Sequence, residues 1–157
     1  MCYMEIYNLA DKMFFFEEVV EWLFNEWGVH GEKNNKEFWK SWVNSSLSKI
    51  DIPQTYIAIE GDELIATFSL WRCDLQSRQD LFPWFGGLIV KKNYRSKGIG
   101  KLMQYKAFGI LHNLGYQEVY CFSEFANYYE TTGWCFQGMI PDEKGIMVRL
   151  YKRTTEL

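Results

Sequence analysis

Residues 85–114 decide the fold, and they read FGGLIVKKNYRSKGIGKLMQYKAFGILHNL. A strand is predicted by three consecutive apolar residues, Leu88, Ile89 and Val90. A helix is predicted by apolar residues at the spacing of one helix face, Met103, Ala107, Ile110 and Leu114. Between the strand and the helix lies a basic turn that contains Gly98 and Gly100. The sequence therefore predicts a strand, a turn and a helix in direct succession.

The turn between this strand and this helix has the properties of an anion site. The first turn of a helix leaves N–H groups unpaired at the positive end of the helix dipole, where a phosphate group fits. Glycines let a ligand approach the main chain, and Arg95, Lys97 and Lys101 add positive charge. Residues 81–117 contain no Asp or Glu, although the whole chain has a net charge of −3. A local positive field is expected here.

Two common phosphate-binding motifs do not fit this turn. A Walker loop requires a glycine where Arg95 stands and a hydroxyl where Leu102 stands. The dinucleotide-binding fingerprint requires a third glycine at Met103. The pattern that remains is Arg-x-x-Gly-x-Gly, formed by Arg95, Gly98 and Gly100. With its preceding strand and following helix, it resembles the acyl-CoA pyrophosphate loop of the GNAT superfamily of N-acetyltransferases.

This resemblance implies that acetyl-CoA binds, as a cosubstrate, to the central strand and the loop. The cofactor-binding residues that it implies are Leu88, Ile89, Val90, Arg95, Ser96, Lys97, Gly98, Ile99, Gly100 and Lys101. The pantetheine arm would pair with the main chain of the strand, and an N–H group near Ile89 or Val90 would polarise the thioester carbonyl. The alternative is a tight turn on a solvated basic face that binds no ligand.

A second motif lies at residues 125–134, which read FANYYETTGW. It resembles the Ala-x-x-Tyr-Glu-x-x-Gly-Phe/Trp segment of the same superfamily. The resemblance implies that Tyr129 contacts the cofactor and acts as the general acid, that Gly133 ends a short helix and that Trp134 begins the next strand. The motif departs from the family at one point, because the Asn often found before the tyrosine is absent and Glu124 stands near its place.

The reaction implied by the resemblance is direct attack of an amine on the thioester, which requires no Ser, Cys or Lys nucleophile. A base must take a proton from the ammonium group, but the central strand carries no carboxylate. Asp80 and Glu124 are tentative candidates, and Asp74 is a third. Each of these carboxylates is also explained as a solvated loop charge. A non-catalytic acyl-CoA-binding sensor of the same fold is the alternative function.

The rest of the chain supports the same fold. Strands are predicted at residues 3–9, 55–59, 64–71, 118–122, 134–138 and 146–151, and helices at residues 13–27, 37–48 and 100–114. The resemblance implies an α/β (α+β) fold with a mixed, mostly antiparallel sheet of about seven strands, a splayed central parallel pair and about four helices, as one domain over residues 1–157. Asp11 is expected to cap the first helix, and most aromatic residues of the first two helices are expected in the core.

Composition limits the remaining possibilities. The chain has 157 residues, of which 48% are hydrophobic and 24% charged, and it has no apolar run long enough to span a bilayer, so a cytoplasmic location is expected. Four scattered cysteines and two histidines predict reduced thiols and no metal site. The acidic balance argues against nucleic acid as a partner. The expected partner is a small-molecule or peptide amine, without a membrane, and a homodimer is left open.

Overall fold

The computed structural model describes residues 3–157. Its strands are β1 (Met4–Asn8), β2 (Gln54–Glu60), β3 (Glu63–Trp71), β4 (Trp84–Val90), β5 (Glu118–Ser123), β6 (Cys135–Pro141) and β7 (Met147–Thr154). Its α-helices are α1 (Phe16–Leu23), α2 (Lys36–Asn44) and α3 (Ile99–Asn113). The strands form one sheet in the order β1-β2-β3-β4-β5-β7-β6. The predicted fold class is confirmed, with three α-helices in the described part of the chain where about four were expected.

Strand pairing follows the predicted pattern. β4 and β5 are parallel, with Trp84 opposite Tyr120, and α3 connects them. β1 runs antiparallel to β2, and β7 runs antiparallel to both β5 and β6. The tight turn between β2 and β3 contains Gly61, whose φ angle of 62° is readily adopted by glycine. The sheet is therefore mixed and mostly antiparallel.

The chain divides into two compact units. The first extends through Ser69 and includes Gly87–Gly100, and the second comprises Leu70–Gly86 and Lys101–Leu157. In the first unit, α1 buries the apolar side chains Phe16, Val19, Val20 and Leu23. They form one core cluster with Trp39 and Val43 of α2, Ile57 and Ile59 of β2 and Leu64 of β3. The prediction of one organised domain over residues 1–157 stays a prediction.

The first helical region is less regular than predicted. A 3-10 turn (Met13–Phe15) precedes α1, and a π-helical turn (Phe24–Gly28) follows it. The region ends at Gly28, as predicted, and a Cβ atom at that glycine would lie 2.7 Å from Nε1 of Trp39. Glycine at this position therefore permits close packing onto the α2 segment.

The prediction that Asp11 caps the first helix is wrong. The side chain of Asn8 instead caps a 3-10 turn (Leu9–Asp11) by accepting a hydrogen bond of 2.9 Å from the Ala10 N–H. Asp11 is the last residue of that turn and forms an ion pair with Lys49. An acidic residue before an apolar run satisfies the sequence pattern for a cap, but the turn begins earlier in the chain than this pattern indicated.

In the second unit, α3 presents a buried face that is rotated from the predicted one. Its buried residues are Met103, Gln104, Ala107, Phe108 and Leu111. Ile110 and Leu114, which the apolar spacing also placed on that face, are only half-buried. The rings of Phe108 and Trp134 lie 5.6 Å apart, which fixes the orientation of this face. No helix among residues 3–157 is long and apolar enough to cross a membrane.

Candidate active site

The basic turn presents main-chain N–H groups to solvent. A 3-10 turn (Lys92–Tyr94) follows β4, and the chain then passes through Ser96 and Gly98, with φ angles of 60° and 80°. Residues 95–98 are exposed. Within residues 3–157, the N–H groups of Ser96, Lys97 and Gly98 donate to no other group of the chain. These donors are therefore available to an anion.

Three basic residues lie next to these N–H groups in the sequence, namely Arg95, Lys97 and Lys101. Arg95 donates through Nε to the Val90 carbonyl oxygen at 2.8 Å. The Lys97 ammonium lies 5.3 Å from the centre of the Tyr94 ring, and Lys101 lies on the first turn of α3. None of Arg95, Lys97 and Lys101 forms an ion pair with a carboxylate of the described residues. Their charge is therefore available to a ligand.

Glu63 binds two residues that directly precede this loop. Its carboxylate forms an ion pair with Lys91 and accepts a hydrogen bond of 2.9 Å from the Tyr94 hydroxyl. Lys91 and then Tyr94 lower the pKa of Glu63, and the same carboxylate raises the pKa of Tyr94. The Lys91 N–H also donates to the Ile65 carbonyl at 2.8 Å. The turn that leads into the loop is thereby held to β3.

The loop and the end of β4 fit a pyrophosphate-bearing ligand. The donors are main-chain N–H groups without acceptors in the described chain and cations without acidic partners, which is a donor set that suits phosphate oxygens. Within β4, Gly87 has a φ angle of 61°, so the strand departs from regular geometry at this residue. Leu88, Ile89 and Val90 follow it and are half-buried.

In the second unit, Tyr129 begins a 3-10 turn (Tyr129–Thr132) that ends at Gly133. Gly133 has a φ angle of 86°, so the sequence located the end of this element correctly although the element is shorter than an α-helix. The Tyr129 ring lies 5.7 Å from the rings of both Trp134 and Tyr151. Two buried aromatic neighbours therefore pack against Tyr129.

The Tyr129 hydroxyl has no hydrogen-bond partner among the described residues. Burial raises the pKa of this phenol well above its usual value, and ionisable neighbours that include Cys121 and Asp74 raise it further. A raised pKa means that the proton is retained through neutral pH. Tyr129 is therefore a protonated phenol whose hydrogen-bonding capacity is not used within the described chain.

Tyr128 has a different environment from Tyr129, although their rings are in contact. The two rings are in edge-to-face contact at 5.0 Å, because Tyr128 precedes the 3-10 turn and does not lie on a shared helix with Tyr129. Its hydroxyl accepts a hydrogen bond of 3.4 Å from Nε2 of Gln104. The two neighbouring phenols therefore differ in their hydrogen bonding.

Gln104 is a functional candidate that sequence reasoning missed. It is completely buried, and its Oε1 accepts hydrogen bonds from Thr132 Oγ1 at 2.6 Å and Trp134 Nε1 at 2.9 Å. With Tyr128, all three partners come from the segment that contains Tyr129. A polar residue on the buried side of the predicted helix was the one available signal.

The carboxylates considered as bases differ in their surroundings. Asp80 is exposed and accepts two hydrogen bonds from Arg78, at 2.9 and 2.8 Å, which lower its pKa. Glu124 is exposed in the bend after β5. Asp74 is half-buried, and its Oδ2 lies against the main chain of β4 at Gly86. The roles given to Asp80 and Glu124 stay predictions.

Two of the described cysteines, Cys121 and Cys73, have the environment of inert thiols, whereas Cys135 is exposed. Cys121 is buried, and burial, followed by the charges of Asp74 and Glu130, raises its pKa well above the usual value. Burial also raises the pKa of Cys73. Cys2 lies outside the described residues. In residues 3–157, no group of three or more His, Cys, Asp and Glu side chains has the arrangement of a metal site.

The family model described as Acetyltransferase (GNAT) family matches residues 7–133. The chain belongs to the GNAT acetyltransferase family. The matched region includes the loop at residues 95–100 and extends to Gly133, so both motifs lie within it. A comparison with curated protein sequences finds no significant match.

Solved structures with the same fold cover almost the whole GNAT chain. Aminoglycoside 6'-acetyltransferase type Ii aligns with a TM-score of 0.74 and 13% identity, over 99% of this chain and 98% of its own. An aminoglycoside 6'-N-acetyltransferase complexed with coenzyme A gives 0.72 and 12%, over 98% of each chain. A GNAT-family acetyltransferase from Staphylococcus aureus gives 0.71 and 18%, over 98% and 100%. At these identities the likeness concerns the fold.

Proposed function

We propose that this GNAT protein is a cytoplasmic, acetyl-CoA-dependent N-acetyltransferase that acts on a primary amine of a small molecule or peptide by direct attack in a ternary complex. Tyr129 carries the proposal. A protonated phenol without a hydrogen-bond partner in the described chain suits an acid that a leaving thiolate requires, whereas a binding protein has no use for it. The availability of the loop N–H groups supports the same function.

The loop supplies the binding energy for the cosubstrate. Main-chain N–H groups of Ser96, Lys97 and Gly98, with the start of α3 at Ile99 and Gly100, would hold the pyrophosphate, and Arg95 and Lys101 would neutralise its charge. Main-chain groups of Leu88, Ile89 and Val90 would bind the pantetheine arm. Bound acetyl-CoA supplies an acetyl group activated as a thioester.

The acid step is assigned to Tyr129. Its hydroxyl would donate a proton to the sulfur atom as the carbon–sulfur bond breaks, and its raised pKa keeps that proton available at neutral pH. A main-chain N–H group near Ile89 or Val90 would donate to the carbonyl oxygen and stabilise the charge that develops there. The protonated state of Cys121 and Cys73 supports direct attack by the amine in preference to an acetylated cysteine.

The names of two structurally similar proteins support a small-molecule amine as the substrate class. Both are aminoglycoside 6'-acetyltransferases, and one was solved with coenzyme A. The acidic positions in residues 72–80 support a cationic acceptor in this chain. We therefore propose that the acceptor carries a primary ammonium group.

Amine-dependent thiol release tests this proposal. The protein is incubated with acetyl-CoA and a panel of polyamines, aminoglycosides, amino acids and peptides, and free CoA thiol is measured. Thiol release that depends on at least one amine is expected. Thermal stabilisation by acetyl-CoA without thiol release from any amine would instead favour the non-catalytic sensor.

A further inference from the structure

Asp74 and Trp71 occupy the space beside β4 that a side chain at position 86 would fill. A Cβ atom at Gly86 would lie 2.6 Å from Asp74 Oδ2 and 2.6 Å from Cζ3 of Trp71. These distances are shorter than real Cβ contacts, so any residue larger than glycine would displace both groups. A carboxylate oxygen and the edge of an indole ring therefore flank one point on the central strand.

The segment that carries Asp74 is fixed on both sides. Trp71, at the end of β3, is buried, and Leu75 is completely buried. Cys73 donates through its thiol to the Leu75 carbonyl oxygen at 3.5 Å. Buried residues therefore lie on both sides of Asp74 in the chain, and its half-buried carboxylate lies beside Gly86 of β4.

Four other carboxylates of the second unit bind groups that do not belong to β4. Asp80 accepts two hydrogen bonds from Arg78, and Glu118 forms an ion pair with Lys152 at 3.0 Å. Glu130 accepts a hydrogen bond of 2.8 Å from the Tyr151 hydroxyl. Asp142 accepts hydrogen bonds from the N–H groups of Lys144 and Ile146 within its own hairpin loop. Asp74 differs from these four in its position, because its Oδ2 lies beside Gly86 of β4.

Asp74 also lies within electrostatic range of the proposed acid. After burial itself, the charge of Asp74 is among the causes that raise the pKa of Tyr129, and it is the first charged group among those that raise the pKa of Cys121. One negative charge therefore acts on both side chains. Acyl transfer from a thioester to an ammonium substrate needs a base and an acid with separate proton affinities.

We propose that Asp74 is the catalytic carboxylate that receives the ammonium group of the acceptor and takes its proton, with the Trp71 ring edge and Gly86 shaping its seat. This inference rests on the proposed N-acetyltransferase function and deepens it. A carboxylate beside Gly86 explains how a central strand without an acidic residue of its own obtains a base. It also requires that the acceptor be a protonated amine.

The proton and electron balance of the step is closed. One ammonium proton passes to the Asp74 carboxylate, and the freed lone pair of nitrogen forms a bond to the acetyl carbon while the carbon–sulfur bond breaks. The sulfur atom leaves with the bonding electron pair and takes the proton of the Tyr129 hydroxyl. The phenolate of Tyr129 is reprotonated by the second nitrogen proton. Asp74 then releases its proton to solvent, so that one proton is liberated per acetyl group transferred.

Two acceptor nucleophiles of different basicity provide the test. An alkylamine is protonated at neutral pH and needs a base, whereas an alkoxyamine of matched shape is already neutral and does not. Asp74→Asn is compared with wild type and with Glu118→Gln, an exposed carboxylate variant. We expect kcat with the alkylamine to fall about a hundredfold or more in Asp74→Asn, kcat with the alkoxyamine to fall less than about threefold, and Glu118→Gln to match wild type.

A second variant tests the seat without changing the carboxylate. Gly86→Ala places a methyl group where Asp74 Oδ2 and Trp71 lie, so we expect it to lower alkylamine turnover selectively. Gly109→Ala is its control, because a Cβ atom at Gly109 meets nothing within 4 Å. Melting temperatures and the acetyl-CoA KM are measured for every variant to establish that it folds and binds the cosubstrate.

The outcomes separate this inference from the proposed function. A wild-type protein that acetylates amines, with Asp74→Asn affecting alkylamine and alkoxyamine equally, overturns the base role while the N-acetyltransferase function stands. Selective loss of alkylamine turnover in Asp80→Asn or Glu124→Gln, with Asp74→Asn active, also overturns it. A wild-type protein that releases no thiol with any amine removes both the function and the inference. If Asp74→Asn does not fold, Gly86→Ala provides the test: a selective loss of alkylamine turnover supports the base role, and an equal loss with both nucleophiles overturns it.

Discussion

The loop at residues 95–98 and the turn that begins at Tyr129 are built in opposite ways. The loop is exposed and offers main-chain N–H groups, so its function depends on backbone conformation and not on packed side chains. The Tyr129 turn depends on side chains, because aromatic rings position Tyr129 and completely buried Gln104 binds the residues around it. Side-chain substitutions in the loop should therefore act on cosubstrate binding, whereas substitutions at the turn should act on turnover.

Tyr129→Phe should give the largest effect. It tests whether the Tyr129 turn acts on turnover. Phenylalanine retains the ring packing but has no proton to donate. We expect kcat to fall roughly ten- to a thousandfold with little change in the acetyl-CoA KM, as measured by steady-state thiol release.

Tyr128→Phe is the matched control, because it removes a neighbouring hydroxyl that binds Gln104. Its kcat should stay close to that of wild type. If Tyr128→Phe were the inactive variant and Tyr129→Phe the active one, the register assigned to this motif would be wrong.

Gly98→Val should give the second-largest effect. It tests whether the loop acts on cosubstrate binding. Gly98 has a φ angle of 80°, which valine adopts only with strain, and a side chain there would stand beside the N–H groups that the pyrophosphate needs. We expect the acetyl-CoA KM to rise about ten- to a hundredfold while kcat at saturation stays within about threefold. Gly100→Val should act in the same direction.

Gly145→Val controls for the backbone strain. Gly145, in the loop between β6 and β7, has a φ angle of 79° and, like Gly98, meets nothing within 4 Å of a Cβ atom. The two valine variants should lose similar stability, but only Gly98→Val should weaken acetyl-CoA binding. Equal acetyl-CoA KM values for the two variants would show that the loop does not bind the cosubstrate.

Gln104→Leu should produce a smaller loss of activity together with a loss of stability. The substitution leaves the Trp134 indole N–H without its acceptor and removes one acceptor of the Thr132 hydroxyl. We expect the free energy of unfolding to fall by about 1–3 kcal/mol, from denaturant titration, and kcat to fall by about three- to tenfold.

Gln137→Leu is the control for this substitution, since Gln137 is exposed and bonds only to the nearby Cys135 carbonyl. Its stability should be unchanged. A destabilised Gln104→Leu protein with full kcat would show that Gln104 supports the fold and does not position Tyr129.

Both the loop and the Tyr129 motif could be predicted from the sequence because each is contiguous. Arg95, Gly98 and Gly133 lie at fixed spacings in elements whose backbone needs those residues, and the strand–turn–helix order specified the parallel pair. The seven-stranded sheet followed from alternating apolar residues and turn residues. Local chemistry was sufficient for these features.

Other features depend on contacts between distant segments, which spacing does not encode. The position of Asp74 depends on the close approach of Trp71 and Gly86, which belong to different strands. The buried face of α3 includes Gln104 because polar groups of residues 128–134 satisfy its amide, which an apolar spacing rule cannot anticipate. Asn8 became a cap because the first turn starts earlier than the apolar stripe.

Glu63→Gln should give the smallest effect, and it tests how the loop is anchored. The pKa of Glu63 is lowered by Lys91, so its ion pair stabilises the fold at neutral pH and this contribution is lost as pH falls through the folded-state pKa. The difference in melting temperature between wild type and Glu63→Gln should therefore be largest at neutral pH and shrink in acid. A difference that grew as pH fell would contradict this assignment.

The fate of the acetyl group tests the central claim most directly. The protein is incubated with acetyl-CoA carrying an isotope-labelled acetyl group and with the best amine of the panel, and products and intact protein are followed by mass spectrometry. We predict that the label appears on the amine nitrogen with one CoA thiol released per label, and that no labelled protein forms when the amine is omitted. Label that stays on acetyl-CoA with every amine, although acetyl-CoA still stabilises the protein, would contradict the account.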